Sequence, residues 1–339
     1  MKRLVPLALI ILLLAAAAAG AAVYQYRQFT GAPLAVGQDG MVFTVEAGDT
    51  VGTVLARLEK LGVTQRGWRW RVLGRLHAAT IKTGEYRLPP GITPPGLLDL
   101  LASGKVVSYR FTIIEGWTVK QLLEALAADP VLRQTLTDIA GLEVLPGLAD
   151  QNPEGWFLPE TYSFVRGDSD LSVLQRAYAA MQQSLGDAWA TRDIGLPYET
   201  PYELLTMASI IEKETSLEAE RADIAGVFVR RLAENWRLEA DPTIIYGMGE
   251  NYQGDIRRRD IRQDTPYNTY TRRGLPPTPI ALPGKASLQA AANPAAGEAM
   301  FFVADGQGGH TFSRTLDEHN KAVQQLIKQG KSSAKGNGR

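Results

Sequence analysis

Along the chain, the spacing of the hydrophobic positions changes several times, and each change marks an element. Over residues 4–23 the pattern is unbroken: twenty residues carry no charge, and Lys2 and Arg3 stand ahead of them. At about 1.5 Å of rise per residue, a helix of that length spans a hydrocarbon core of roughly 30 Å. The basic pair in front predicts a cytoplasmic start at residues 1–3 and a body on the far side of the membrane. Small residues fill positions 15–22, so a cleaved signal peptide is the rival reading, and the length of the run favours an anchor. Residues 24–40 are polar and aperiodic and read as a linker.

Beyond the linker the period shifts between two and three-to-four residues. Val42, Phe43, Thr44 and Val45 read as a short strand and residues 46–49 as a turn; Val51, Val54, Leu55, Leu58 and Leu61 follow helical spacing. Residues 82–88 read as a strand ended by Pro89, Pro90 and Gly91, and residues 93–103 as a helix stopped by Gly104. Together, residues 41–108 form a small first unit of α/β type. A larger unit over residues 109–328 opens with a strand at 109–114 and continues with helices at 119–127, 171–185 and 203–214. Thr215, Ser216, Leu217 and Glu218 fit a capping box, which predicts a further helix from there to about Asn235. Residues 132–155 give weak signals, and the prolines of 275–283 predict a loop. A strand at 301–304, Gly turns at 305–309 and a last helix at 316–328 complete the unit; residues 329–339 are polar, basic and rich in Gly and Ser, the composition of a disordered tail. There is no internal repeat, and helices and strands do not alternate regularly. The fold class is α+β.

Composition narrows the chemistry. At 339 residues the chain is long enough for about two domains and a core that needs no staples. Lys plus Arg and Asp plus Glu both number 36, and a net charge of zero argues against a general nucleic-acid binder. Cysteine is absent, which removes disulfides, thiolate metal sites and cysteine nucleophiles. His77, His310 and His319 are the three histidines, with no HExxH spacing; GxSxG and phosphate-loop patterns are also missing, so no metal or cofactor is expected.

The residue that departs most from its surroundings is Glu212. On an ideal helix it falls between Leu205 and Ala208, on an apolar stripe, whereas Ser209 and Lys213 fall on a wetter arc and Glu214 falls beside Glu203. A carboxyl drawn into apolar surroundings holds its proton to higher pH, as a general acid must. The plainer reading pairs Glu212 with an interior arginine, for which Arg221, Arg230 and Arg231 are candidates. Asp241 opens a Pro-marked loop, and Tyr267, Asn268 and Tyr270 lie in another; with Trp156, Glu160 and Tyr162 they offer the aromatic faces and hydrogen-bonding groups that grip sugars. The same residue types also build turns and pack. Ser209 and Lys213, one turn apart, can imitate a serine–lysine dyad, and residues 257–262 read as a solvated basic loop.

Six runs in order resemble the YceG-like family of endolytic murein transglycosylases. They are Ile114-Glu115-Gly116-Trp117-Thr118, the run from Gly155 through Glu160 to Tyr162, Ala208-Ser209-Ile210-Ile211-Glu212-Lys213-Glu214-Thr215, the run from Ala240-Asp241-Pro242-Thr243 to Gly247, Tyr267-Asn268-Thr269-Tyr270 with Gly274-Leu275-Pro276-Pro277, and Phe302 to Gly306 with Gly309-His310-Thr311-Phe312. The resemblance spans residues 40–328 and implies a single-pass inner-membrane protein with a periplasmic body, a LysM-like first unit and a catalytic YceG-like second unit. It implies catalysis by Glu212, with non-hydrolytic cleavage between N-acetylmuramic acid and N-acetylglucosamine of peptidoglycan strands. It further implies peptidoglycan synthases as neighbours and no cofactor. The family often has Asp where Glu160 stands, which puts a fixed-distance role for that carboxylate in doubt. Glu160, Asp241, Tyr267, Asn268 and Tyr270 are the expected substrate contacts or supports for Glu212. Within enzymes the alternative is a muramidase-type hydrolase; outside them, a glycan-binding scaffold.

Overall fold

A computed structural model describes residues 4–77, 80–149 and 151–336, so residues 1–3 and the last three of the tail lie outside the described residues. The fold is mixed α+β. Helix α1 (Leu4–Gly31) runs eight residues past the apolar run, through most of the stretch expected to be a linker. Nothing from Tyr24 to Thr30 breaks a helix, and the chain turns only at Gly31. Its segment Ala8–Gly31 is long and apolar enough to cross a membrane.

The chain divides into two compact units, the first comprising Met1–Tyr109 with Ser163–Gly167. Strand β1 (Met41–Val45) is followed by α2 (Val51–Lys60), α3 (Trp68–Leu76), β2 (Gly84–Leu88) and α4 (Pro94–Ser103). β1 and β2 pair antiparallel from Met41↔Leu88 to Val45↔Gly84, so Phe43 and Val45 share an inward face with Tyr86 and Leu88. These four pack with Val54, Leu55, Leu58, Trp70, Leu73, Leu97, Leu98 and Leu101 in one core. The local chemistry agrees with the pattern: Thr50 and Thr53 form a capping box at α2, and Thr93 caps α4 ahead of Pro94. Gly84 has φ +138°, and a Cβ there would lie 2.4 Å from Val106 Cγ1. Helix α3 falls in a stretch to which the sequence pattern assigns no element; burial of Trp70 and Leu73 on one side selects the helix.

Strands β3 (Ser108–Thr112) and β4 (Thr161–Val165) form a two-stranded sheet within which the division between the units falls. The second unit comprises Arg110–Tyr162 and Asp168–Arg339. It holds α5 (Val119–Ala127), α6 (Asp170–Ala190), α7 (Pro201–Glu214), α8 (Glu218–Ala233), α9 (Asp241–Met248), α10 (Arg258–Arg262), α11 (Lys285–Ala292), the hairpin β5 (Phe301–Ala304) and β6 (His310–Ser313), and α12 (Leu316–Gly336). Helix α7 is the centre: Leu204 to Ile211 are buried without exception, enclosed by α6, α8, α9 and α11. A helix walled in on all sides has no wet arc, so Ser209, expected on one, is fully buried. Its hydroxyl donates to Thr206 O at 2.7 Å and accepts from Ile280 N at 3.0 Å.

Several expected boundaries move for identifiable reasons. Thr215 is the C-cap of α7 in extended conformation, and its hydroxyl accepts from Leu217 N, so it makes a turn and the expected capping box does not form. α8 starts at Glu218. Asp241-Pro242 opens α9 where a loop was expected, since proline suits a helix's first turn as well as a turn. The expected basic loop contains the short helix α10, with buried Asp260 accepting from Arg257 N at 2.9 Å. His310, expected in a turn, starts β6 opposite Ala304, and α12 continues into the polar tail as far as Gly336.

Ser209→Ala leaves the buried N–H of Ile280 without a partner, and should lower unfolding free energy by about 1–3 kcal/mol. Chemical denaturation of both proteins would measure this; equal stability would mean that the Ser209–Ile280 bond adds nothing.

Candidate active site

The last turn of α7 carries Glu212 out of the buried run. Its start is firmly set: Thr200 and Glu203 form a capping box, and Pro201 occupies the first helical position. The Glu212 side chain is only 5% exposed, and each oxygen has a partner. Oε2 accepts from the backbone N–H of Gly284 at 2.9 Å, and Oε1 from Arg221 Nη2 at 3.4 Å. Gly284 is the N-cap of α11, so the carboxylate sits where unpaired N–H groups and the helix dipole favour negative charge.

Of the three candidate arginines, Arg221 on α8 is the one that meets Glu212. Arg230 serves the carbonyls of Ala295 and Ala299, and Arg231 those of Met300 and Leu238. The same Arg221 Nη2 also lies 3.6 Å from Glu115 Oε2, so one buried guanidinium nitrogen faces two carboxylates. Burial first, then the Glu212 carboxylate, push the Glu115 pKa up; Arg221 opposes them. The segment bearing Glu115 is bound to the one bearing Gly284. Gly116 N donates to Leu282 O at 2.9 Å, and Leu282 N to Trp117 O at 2.7 Å. Lys213 Nζ reaches Gly116 O at 3.1 Å, directed away from buried Ser209, so no serine–lysine dyad exists here. A Cβ on Gly284 would fall 1.9 Å from Glu115 Oε1. A side chain there would displace the Glu115 carboxyl.

Glu160, half exposed, lies on the rim of this cluster. It pairs with Lys285 Nζ at 2.9 Å, and Lys285 is the first residue of α11. Its charge is felt at Glu115. Asp241, Tyr267, Asn268 and Tyr270 lie elsewhere in the unit. Tyr270 Oη donates to Asp241 Oδ1 at 2.7 Å. Both face Glu214, whose carboxyl is pushed up to about 8 by burial and by the Asp241 charge, with Arg231 opposing. Asn268 is buried; its amide donates to the carbonyls of Asp260, Ile261 and Gln263, and its oxygen accepts from Tyr270 N at 2.9 Å. Tyr267 bonds Thr278 at 3.0 Å and packs edge-on against Tyr246. Trp156 stacks on Tyr202, and Tyr162 Oη donates to Leu158 O, so both are engaged in packing.

Three contributors escaped the reading from sequence. Glu115 stood in a quoted motif with no role attached; Gly284 and Lys285 follow a proline-rich stretch that read only as loop. A further carboxyl, Glu154, is buried and accepts from Val119 N at 2.9 Å and Tyr246 Oη at 3.1 Å. Burial lifts its pKa to about 7 against these hydrogen bonds.

An acidic side chain at the end of a buried helix, pinned by a backbone N–H and an arginine, suits general acid–base chemistry. Residues 43–325 match the YceG-like family, and the chain belongs to it. A Bacillus subtilis protein named endolytic murein transglycosylase is 28% identical over 304 residues, which cover 84% of each chain. One of the same name from Streptococcus pneumoniae strain D39 is 27% identical; the match covers 84% of this chain and 58% of that longer protein. A crystal structure of a YceG-like protein from Listeria monocytogenes is 28% identical, covers 84% of this chain and 99% of its own, and superimposes with a TM-score of 0.52.

Glu154 and Glu214 give the second unit a pH signature. Their folded pKa values, about 7 and about 8, stand above the unfolded value, so the folded state binds more protons between roughly pH 4.5 and 8 and stability falls as pH rises through that window. Glu154→Gln should flatten the decline by on the order of 3 kcal/mol. Denaturation midpoints from pH 5 to 8 test this; a parallel decline in the variant would remove Glu154 as a source.

Proposed function

We propose that the chain is a lytic transglycosylase, a lyase that cuts peptidoglycan strands internally between N-acetylmuramic acid and N-acetylglucosamine. The observation that carries this reading is the held carboxyl of Glu212, which coincides with the catalytic position that the family resemblance implies. Relatives named for that activity support it.

The mechanism follows from what holds Glu212. Protonated, it donates to the oxygen bridging the two sugars as the C1–O bond of the muramyl residue breaks. Gly284 N–H and the Arg221 guanidinium then hold the resulting carboxylate. That carboxylate takes the proton of the muramyl C6 hydroxyl, whose oxygen bonds to C1 and closes a 1,6-anhydro ring. The proton returns to Glu212, and no water is consumed. An attacking group within the same sugar has an effective concentration far above any solute, so a protein nucleophile is not needed. Glu115, held against the same guanidinium, is the neighbour to which Arg221 can turn while Glu212 is protonated.

Glu160 with Lys285 forms the substrate-facing rim in this proposal. Asp241, Tyr267, Asn268 and Tyr270 act from behind, Asn268 as the brace that shapes their loop. The first unit, with its strand–helix–helix–strand order, is a LysM-like glycan holder, and α1 is a single-pass inner-membrane anchor with the body in the periplasm, beside peptidoglycan synthases. A tether of this kind confines cutting to strands near the bilayer and thereby limits their length.

One observation favours a second reading. Glu214, buried and holding its proton near neutral pH, faces Asp241, and a pair of neighbouring carboxyls suits a hydrolase.

Mass spectrometry of uncrosslinked glycan strands treated with the full chain decides between them. Internal cuts ending in 1,6-anhydromuramic acid are expected, with Glu212→Gln slower by about 10²–10⁴-fold and Glu214→Gln retaining most activity. Reducing ends together with loss of activity in Glu214→Gln would establish the hydrolase. Strands bound but left intact by the wild type would mean a scaffold.

A further inference from the structure

The first unit carries a surface that the proposed reaction does not use. Helix α3 buries Trp70 and Leu73 and turns Trp68, Arg71, Arg75 and Leu76 outward. Trp68 is 39% exposed and Leu76 72%, a large apolar area for nine residues of helix. Arginine alternates with it: among the described residues Arg71 and Arg75 have no ion-pair partner, whereas Arg66 is taken by Glu59. Arg66, Arg71 and Arg75 also line a groove of about 590 Å³ between α2 and α3, floored by Leu55 and Trp70. Exposed tryptophan and leucine beside unpaired arginines is the composition of a helix lying in a membrane interface, not of one facing water.

The position of α3 along α1 supplies the second argument. The Phe29 ring meets the Trp70 ring edge-on at 5.2 Å, and the Arg69 guanidinium lies over Phe29 at 5.3 Å. Phe29 stands six residues beyond Val23, the last residue of the apolar run, which is about 9 Å along a helix axis. The polar headgroup layer is about 5–7.5 Å thick on each side, so Phe29, and the α3 residues it packs against, stand at its outer edge. Tyr24 and Tyr26 occupy the interval, in the place where aromatic residues anchor a spanning helix.

We infer that the outward face of α3 docks on the headgroup layer of an anionic phospholipid membrane, with Trp68 and Leu76 entering the interface and Arg71 and Arg75 binding lipid phosphates at the α2–α3 groove. The inference rests on the reading of α1 as an uncleaved anchor. Arginine suits phosphate through its paired donors. The consequence is orientational: α1 and α3 together fix the first unit against the bilayer, where α1 alone leaves it free to swing.

The test uses the full chain in nanodiscs of phosphatidylglycerol and phosphatidylcholine that carry a spin-labelled lipid quenching tryptophan near the headgroups. Subtracting the emission of Trp68→Phe isolates Trp68. Its signal should be lost in anionic discs and return in pure phosphatidylcholine, at high salt, or with Arg71→Glu and Arg75→Glu combined. If the chain resists alkaline extraction and Trp68 is unquenched, the docking is refuted and the anchor stands. If alkali or processing releases the chain from membranes, the anchor reading fails and the docking falls with it. Quenching that persists in the doubly reversed variant would refute the role given to the arginines.

Discussion

The hydrogen bond from Gly284 N–H to Glu212 Oε2 joins the most deeply buried helix of the second unit to the start of another, and the site is arranged around it. α7 fixes where Glu212 can be, because eight consecutive residues before it are locked in the core. α11 fixes how the carboxyl is turned, because its N-terminal N–H and dipole accept only the charged or hydrogen-bonded face of the group. A side chain at Gly284 would push the Glu115 carboxyl out of this arrangement, since that carboxyl occupies the space a Cβ would need. Backbone, charge and packing therefore specify a single geometry.

Arg221 adds a constraint of a different kind. A buried guanidinium between Glu212 and Glu115 has one charge to offer and two claimants. At 3.4 and 3.6 Å neither contact is tight, and the Arg221 Nε is buried without a partner. Such an arrangement is poor for stability, because desolvation of the arginine is only partly offset. It is well suited to a reaction in which the charge on Glu212 comes and goes, since Arg221 has Glu115 to hold when Glu212 is protonated. The proposed cycle needs that alternation.

How much of this was legible in the sequence follows the range of each interaction. α2, α4 and α5 are built from near neighbours, with spacing and caps such as Thr50 and Thr118 in plain view, and β1 shows the alternation of a strand. Glu212 was also legible, as a charge in an apolar stretch, but the reason it is buried was not: a stripe was expected where α7 is enclosed all round. What no local pattern carries is contact across tens of residues. Gly284 lies 72 positions from Glu212, and nothing around it shows that its N–H has a carboxylate to hold. The partners of the loop polar residues were hidden for the same reason. Asn268 looked like a hydrogen-bonding group awaiting a sugar, whereas three carbonyls from Asp260 to Gln263 already use its amide.

The EKET run shows how one turn of helix can hold three ionisable side chains in three different electrostatic settings. Glu212 points to Gly284 and Arg221, Lys213 to the carbonyl of Gly116, and Glu214 toward Asp241 and Tyr270. About 100° of rotation per residue separates them, and the buried core of α7 prevents the helix from rolling to exchange them. Glu214 is left where burial first, and then the charge of Asp241, oppose negative charge, which is why it retains its proton. Glu212 is on the side where negative charge is welcomed by a helix N-terminus and an arginine. An acid that must give its proton up and then take one back is served better by the second setting than by the first. The proton it donates leaves behind a carboxylate already provided with partners, and that is the physical ground for choosing Glu212 over Glu214 as the acid–base group.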